Sequence, residues 1–149
     1  MSEYLFLEDG FIQTSSIFCG SNLAKQILFK EEFNRHQDYD FVLRAGNLGI
    51  DFKFINEELI IYRGDVKTNL SKGEAYMYSK TWAKKMRKYF SKTGFLGFQI
   101  FNLTARLLAE KRYFKAIGNL LQGLIYLNPT VYPRLFPKLK RLFTQKVKL

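Results

Sequence analysis

Apolar and polar positions change rhythm midway along the chain. Over residues 3–7 and 11–19 aromatic and β-branched side chains run together, F-I-Q-T-S-S-I-F-C in the second stretch, and predict two strands around a turn at Asp9-Gly10. Ser21 or Asn22 can cap a short helix through Ile27, with Leu23, Ala24 and Ile27 on one face. Residues 29–35 connect it to residues 37–48, where Phe41, Leu43, Ala45 and Leu48 are apolar. Asp38 and Asp40 sit in that first turn, which predicts a second helix, and Gly49 stops it. Residues 51–55 and 58–63 predict two more strands. The order β-β-α-α-β-β makes a mixed α/β piece of about 65 residues, marginal as an independent core.

Beyond residue 65 the period becomes helical. Ala75, Tyr78, Trp82, Met86 and Tyr89 recur at i, i+3/i+4 and predict a helix over 71–92, with Lys80, Lys84, Lys85, Arg87 and Lys88 on its other face. Thr93-Gly94 breaks it. Residues 95–110 predict a strongly apolar helix and residues 112–127 a third, ended by Asn128-Pro129. The string from Tyr113-Phe114-Lys115-Ala116 through Leu120-Leu121, Leu124 and Leu127 to Asn128-Pro129 resembles the second helix of a tetratricopeptide-type hairpin, although a single hairpin is no repeat array. Residues 131–147 predict a last helix, with Leu135, Leu139, Leu142 and Phe143 opposite Lys138, Lys140, Arg141 and Lys146. Pro133 fits its first turn, and Pro137 predicts a kink or a delayed start. Two regions are therefore expected, 1–65 and 66–149.

Composition sharpens that division. With 47% hydrophobic and 17% aromatic residues the chain is not disordered. One cysteine, Cys19, and one histidine, His36, exclude a disulfide framework, a Cys-based zinc site and a multi-His metal centre. Cys19, in an apolar stretch, is expected to be buried and inert. The start of the sequence does not read as a signal peptide, and no stretch reaches the roughly 18–20 apolar residues that span a bilayer. The net charge of +11 is split: residues 1–65 hold six cations and eleven acids, whereas residues 66–149 hold 18 cations against Glu74 and Glu110. An acidic half suits metal, base or substrate chemistry. A basic half suits an anionic surface: phospholipid, nucleic acid or a polyanionic substrate.

The run Arg35-His36-Gln37-Asp38-Tyr39-Asp40-Phe41-Val42-Leu43-Arg44-Ala45, followed by Gly49 and then residues 52–63, F-K-F-I-N-E-E-L-I-I-Y-R, resembles the acceptor-side half of family 2 glycosyltransferases with the GT-A fold. Residues 10–16, G-F-I-Q-T-S-S, fit the strand that precedes this region in sugar transferases of bacterial surface polysaccharides. The resemblance covers about residues 3–65 and implies a partial GT-A-like sheet with flanking helices, followed by a mostly α-helical C-terminal region.

It also implies a chemistry. The first aspartate of the pair, Asp38 here, would be the general base that deprotonates the acceptor hydroxyl as it attacks the anomeric carbon of a nucleotide sugar, with inversion. Gln37 stands where many members have Glu. Asp40 and Arg44, spaced i, i+4, can pair on one helix face, and a carboxylate at a helix N-terminus is expected to be held ionised. His36 is a candidate phosphate or metal contact, and Thr14 and Ser15 candidate acceptor contacts. Asp38-Tyr39-Asp40 could be mistaken for the family's Asp-x-Asp metal motif, but it opens a helical pattern instead of closing a strand. The nucleotide-binding unit that carries the true motif is not in this sequence. A divalent metal, Mn or Mg, is thus expected only in a complete enzyme, and this chain alone is expected to be inactive. The partners implied are a nucleotide sugar and a glycan or lipid-linked acceptor, with the basic region peripheral to the cytoplasmic, anionic face of the cell membrane. The alternative is a non-enzymatic basic module binding membrane or nucleic acid. Nucleic acid is disfavoured, because no helix-turn-helix, RRM or KH pattern is present.

Overall fold

The computed structural model describes residues 1–8, 10–61 and 75–144, with residues 143 and 144 described by backbone only. Eight α-helices are described: α1 (Ser2–Phe6), α2 (Ser21–Ile27), α3 (Gln37–Asn47), α4 (Ala75–Lys85), α5 (Lys92–Gly97), α6 (Thr104–Ala109), α7 (Tyr113–Tyr126) and α8 (Tyr132–Thr144). A π-helical turn, Phe98–Leu103, joins α5 to α6 without a break. The chain divides into two units. One is Met1–Phe11 with Glu74–Leu149; the other is Ile12–Gly73.

Among the described residues there is no strand, so the expected mixed α/β fold with a partial GT-A-like sheet is overturned. Residues 3–7 fall largely in α1. Residues 11–19 are extended around a 3₁₀ turn at Thr14–Ser16. Residues 51–61 are irregular and exposed throughout; their backbone bonding is local, Leu59 N–H donating to the Glu57 carbonyl at 2.9 Å. A strand exists only when a neighbour takes its N–H and C=O groups. Among the described residues no such neighbour lies beside these stretches, and Phe54 and Ile61 stand 83% and 90% exposed where a sheet face would have buried them. Residues 62–63, the end of the last predicted strand, and 71–74, the start of the first basic helix, lie outside the described residues, as do 145–147 at the end of the last one.

The helical predictions fare better, although the break expected at Thr93-Gly94 falls earlier, between Lys85 and Lys92, and Thr93 and Gly94 lie inside α5. In the first unit the 3.6 period has a packed interior to answer to. Phe6, Trp82, Phe90 and Phe98 form an aromatic cluster, with Phe6 stacked on Phe90 at 5.5 Å and edge-on to Phe98 at 5.0 Å. Trp82 meets Phe90 and Phe98 at 5.9 and 5.4 Å. Each such ring buried is worth about 1.5–3 kcal/mol relative to exposure. A second cluster joins Leu7, Leu96, Ile100, Phe101, Leu127 and Leu135, with Leu120, Leu124, Val131 and Leu139 packed against it. The apolar stripe of α8 therefore faces the core: Leu135 is fully buried. Pro137 sits inside α8.

The π turn is held from α7. Asn119 Nδ2 donates to the Gln99 carbonyl at 2.8 Å and to Thr104 Oγ1 at 3.0 Å. Gly123 lets α7 approach there, since a Cβ on it would come within 2.5 Å of Ile100 Cγ1.

The chain's first turn is helical because α5 has a notch for it. A Cβ on Gly94 would lie 2.6 Å from Ser2 Cβ, and one on Gly97 2.8 Å from Leu7 Cδ2 and 3.0 Å from the Phe6 carbonyl oxygen. Ser2 Oγ accepts from Ser91 N–H at 3.1 Å, and Lys138 Nζ donates to the Phe6 carbonyl at 3.2 Å. Overpacking such a contact costs about 1–3 kcal/mol. Gly97→Ala should lower stability in chemical denaturation by that amount, whereas Gly118→Ala, with open space around its Cβ position, should not lower it.

Candidate functional site at the head of the third helix

The second unit carries the residues singled out in the sequence. Its interior is small: Ile27, Phe33, Phe41, Val42, Leu43 and Ala45 are buried, and Phe29 stacks on Phe41 at 4.8 Å. Position along α3 decides which side chains enter it. Phe41, Val42 and Ala45 point in, as does Asp40, which is 0% exposed.

Arg44 meets Asp40 from one turn on. Its Nε donates to Asp40 Oδ2 at 3.0 Å, and Nη2 pairs with the same oxygen. The fork continues to α2: Nη1 donates to the Ile27 carbonyl, and Nη2 to the Leu28 carbonyl at 2.6 Å. Both carbonyls belong to the C-terminal end of α2, where helix carbonyls have no intrahelical partner. Leu28 has φ 51° and ψ 152°, a conformation that costs a non-glycine residue about 1–3 kcal/mol and persists only when its surroundings hold it. Arg44 is what holds it. The expected Asp40–Arg44 pair is thus present and also splices α2 to α3, which the spacing alone does not disclose.

Asp38 lies on a different side. At about 100° per residue, Asp38 and Asp40 are about 160° apart around α3. Asp38 is half-buried and accepts from the backbone N–H of Tyr39 at 2.8 Å through Oδ1. Burial pushes its carboxyl above the usual aspartate range, and hydrogen bonds from the backbone N–H groups of Tyr39 and of Asp38 itself only partly offset this. The helix start is expected to favour the charged form, and here desolvation works against it. For a base this is favourable, since a carboxylate nearer the working pH holds a proton better.

His36, the residue before α3, is buried and left-handed at φ 61°, and its ring stacks on Tyr39 at 5.5 Å. The stack braces the turn from which Asp38 projects. Gln37 is the first residue of α3 and exposed. Thr14 and Ser15 are exposed in the 3₁₀ turn, and no hydrogen bond ties them to α3 among the described residues. Cys19, expected to be buried, is exposed, because the strand meant to bury it does not form.

A divalent metal does not fit these residues. The two carboxylates of Asp38-Tyr39-Asp40 diverge, one is taken by Arg44, and no group of three or more His, Cys, Asp or Glu able to hold a metal occurs among the described residues. Nor is any helix among them long and apolar enough to cross a membrane.

Comparison with known proteins gives one informative likeness. The chain is 33% identical over 117 residues to the amylovoran biosynthesis glycosyltransferase AmsB of Erwinia amylovora, an alignment covering 78% of this chain and 39% of that protein. The chain therefore spans well under half the length of this relative. No family model matches it, and no solved structure matches it.

Proposed function

We propose that this chain is an acceptor-side segment of an inverting glycosyltransferase of family 2, acting on a nucleotide-sugar donor and a glycan or lipid-linked acceptor in surface-polysaccharide synthesis. The observation that carries the reading is Asp38: a half-buried carboxylate with a raised pKa, aimed by the Tyr39 N–H, on a helix locked by Arg44. The similarity to AmsB over 78% of the chain supports the sugar-transfer class.

In the proposed step the acceptor O–H lies within about 2.6–3.2 Å of Asp38. As the oxygen forms its bond to the anomeric carbon, its proton passes to the carboxylate. The bond from that carbon to the diphosphate oxygen breaks, and the nucleoside diphosphate leaves with the electron pair. Attack from the face opposite the leaving group inverts the anomeric configuration. Arg44 and Asp40 act on position alone, by fixing α3 against α2. His36, through its stack on Tyr39, keeps the first turn of α3 in register.

Stabilising the departing diphosphate is expected to fall to the rest of a complete enzyme, and charge stabilisation of that kind is usually the largest single catalytic contribution. This chain by itself should therefore transfer no sugar. Calorimetry with UDP- and GDP-sugars in the presence of Mn²⁺ should give no binding heat; a micromolar, metal-dependent affinity would overturn the segment reading. We place the protein at the cytoplasmic face of the cell membrane, where its cation-rich C-terminal half would meet anionic lipid and a lipid-linked acceptor.

A further inference from the structure

Helix α7 is apolar on the side it buries and also on the side it shows to solvent. Ala116 and Gly123 face the core, the latter against Ile100. On the opposite side Phe114 is 93% exposed, Ile125 75%, Leu121 53% and Ile117 52%. With about 100° per residue, those four lie within about 80° of one another, and Gly118 between them meets nothing. A surface helix ordinarily carries its polar residues there. Exposed tyrosines stand at the two ends of α7, Tyr113 and Tyr126, with Tyr132 close behind, its hydroxyl donating to the Leu124 carbonyl at 2.8 Å. Phe136 of α8 adds an exposed ring, 71% open.

The exposed charges on α7, on α8 and just before α7 are of one sign. Lys111, Lys115, Arg134, Lys140 and Arg141 are exposed. Past residue 74 the sequence holds one carboxylate side chain, Glu110, which accepts from Tyr76 N–H and pairs with Arg112 at 3.0 Å. A second copy laid on this face would set cation against cation. An anionic lipid surface supplies the missing charge and an apolar layer under it. Length agrees: 14 residues make a helix of about 21 Å, too short for the ~30 Å hydrocarbon core. Tyrosines at both ends are side chains that settle at the headgroup level.

We infer that the outer face of α7, Phe114, Ile117, Leu121 and Ile125, is an interfacial membrane-docking surface that lies flat in an anionic leaflet, with the cations around it on the headgroups. This rests on the membrane-side reading above and relocates the contact. The apolar stripe of α8 is taken up by the core at Leu135 and Leu139.

The test is flotation of the 149-residue chain with phosphatidylglycerol and with phosphatidylcholine vesicles, for the wild type and for Phe114→Gln/Leu121→Gln/Ile125→Gln. The triple variant alters exposed positions only, so its circular dichroism and melting should match the wild type. Its partition onto phosphatidylglycerol should fall at least tenfold. As a check independent of that variant, Ile125→Trp should gain a blue-shifted emission on phosphatidylglycerol vesicles that brominated lipids quench. Undiminished binding by the triple variant, with no shift at position 125, would overturn the α7 face while leaving a peripheral protein held by charge. A wild type that binds neither vesicle would overturn the membrane-side reading as well. Equal binding to both lipids, or a wild-type dimer that the triple variant turns into a monomer, would also overturn the inference.

Discussion

Asp38→Asn, introduced into a complete enzyme containing this segment, is expected to slow sugar transfer by roughly 10²–10⁴-fold, the usual contribution of a positioned base. Donor affinity should hardly change, because the amide is isosteric and still accepts from Tyr39 N–H. The same change should raise stability at neutral pH. The folded-state pKa of Asp38 is raised, so the native protein holds this proton to higher pH than the unfolded chain does. The stabilisation is fully present below the unfolded value of about 3.9, and it is lost as pH rises through the folded value. Asparagine is never charged and escapes that loss. The variant should melt above wild type at pH 7, and the difference should close below about pH 3.9. A residue whose charge harms the fold yet is needed for turnover is the signature of a functional carboxylate. Loss of activity together with a lowered melting point would mark Asp38 as structural.

Arg44→Met is expected to be the most damaging single change to the second unit. It strands the Asp40 carboxylate, 0% exposed, with no cation, and breaking a buried pair from one side costs about 3–5 kcal/mol. It also releases the Ile27 and Leu28 carbonyls, and with them the strained Leu28 backbone. Arg44→Lys should recover little, since a single ammonium cannot span Asp40 and two carbonyls. Asp40→Leu/Arg44→Met removes both charges and should restore more than half the loss. Urea unfolding of the three variants, followed by helical circular dichroism, measures this. A cost below 1 kcal/mol for Arg44→Met would contradict the account of how α3 is held.

What could be read from sequence followed how local the determinants were. Helices α2, α3 and α7 lie within a residue or two of their expected bounds because the apolar period and the stop signals lie inside each, although the side-chain cap expected at Ser21 or Asn22 is absent and Gly20 opens α2. Residues 3–7 did not, because their conformation is decided by Gly94 and Gly97, about 90 positions away. The strands expected at 11–19 and 51–63 rested on β-branched and aromatic composition, which describes a side chain's comfort in a sheet but supplies no partner strand. Cys19 lies in the first of those stretches and is exposed with it. At the site, the i, i+4 spacing of Asp40 and Arg44 was legible, whereas the reach of Arg44 to the end of α2 needs three dimensions. The second apolar stripe of α7 was in the sequence all along, at 114, 117, 121 and 125. One buried face is enough to explain a helix, so the period alone does not single this stripe out.

The central claim is that Asp38 takes the acceptor's proton, and the pH dependence of kcat/KM for sugar transfer by the complete enzyme tests it most directly. The account predicts an acid limb with its midpoint above the ordinary aspartate value of about 3.9, one decade per pH unit, that disappears in Asp38→Asn. A limb that persists unchanged in Asp38→Asn, or a wild-type rate with no acid limb, would contradict it.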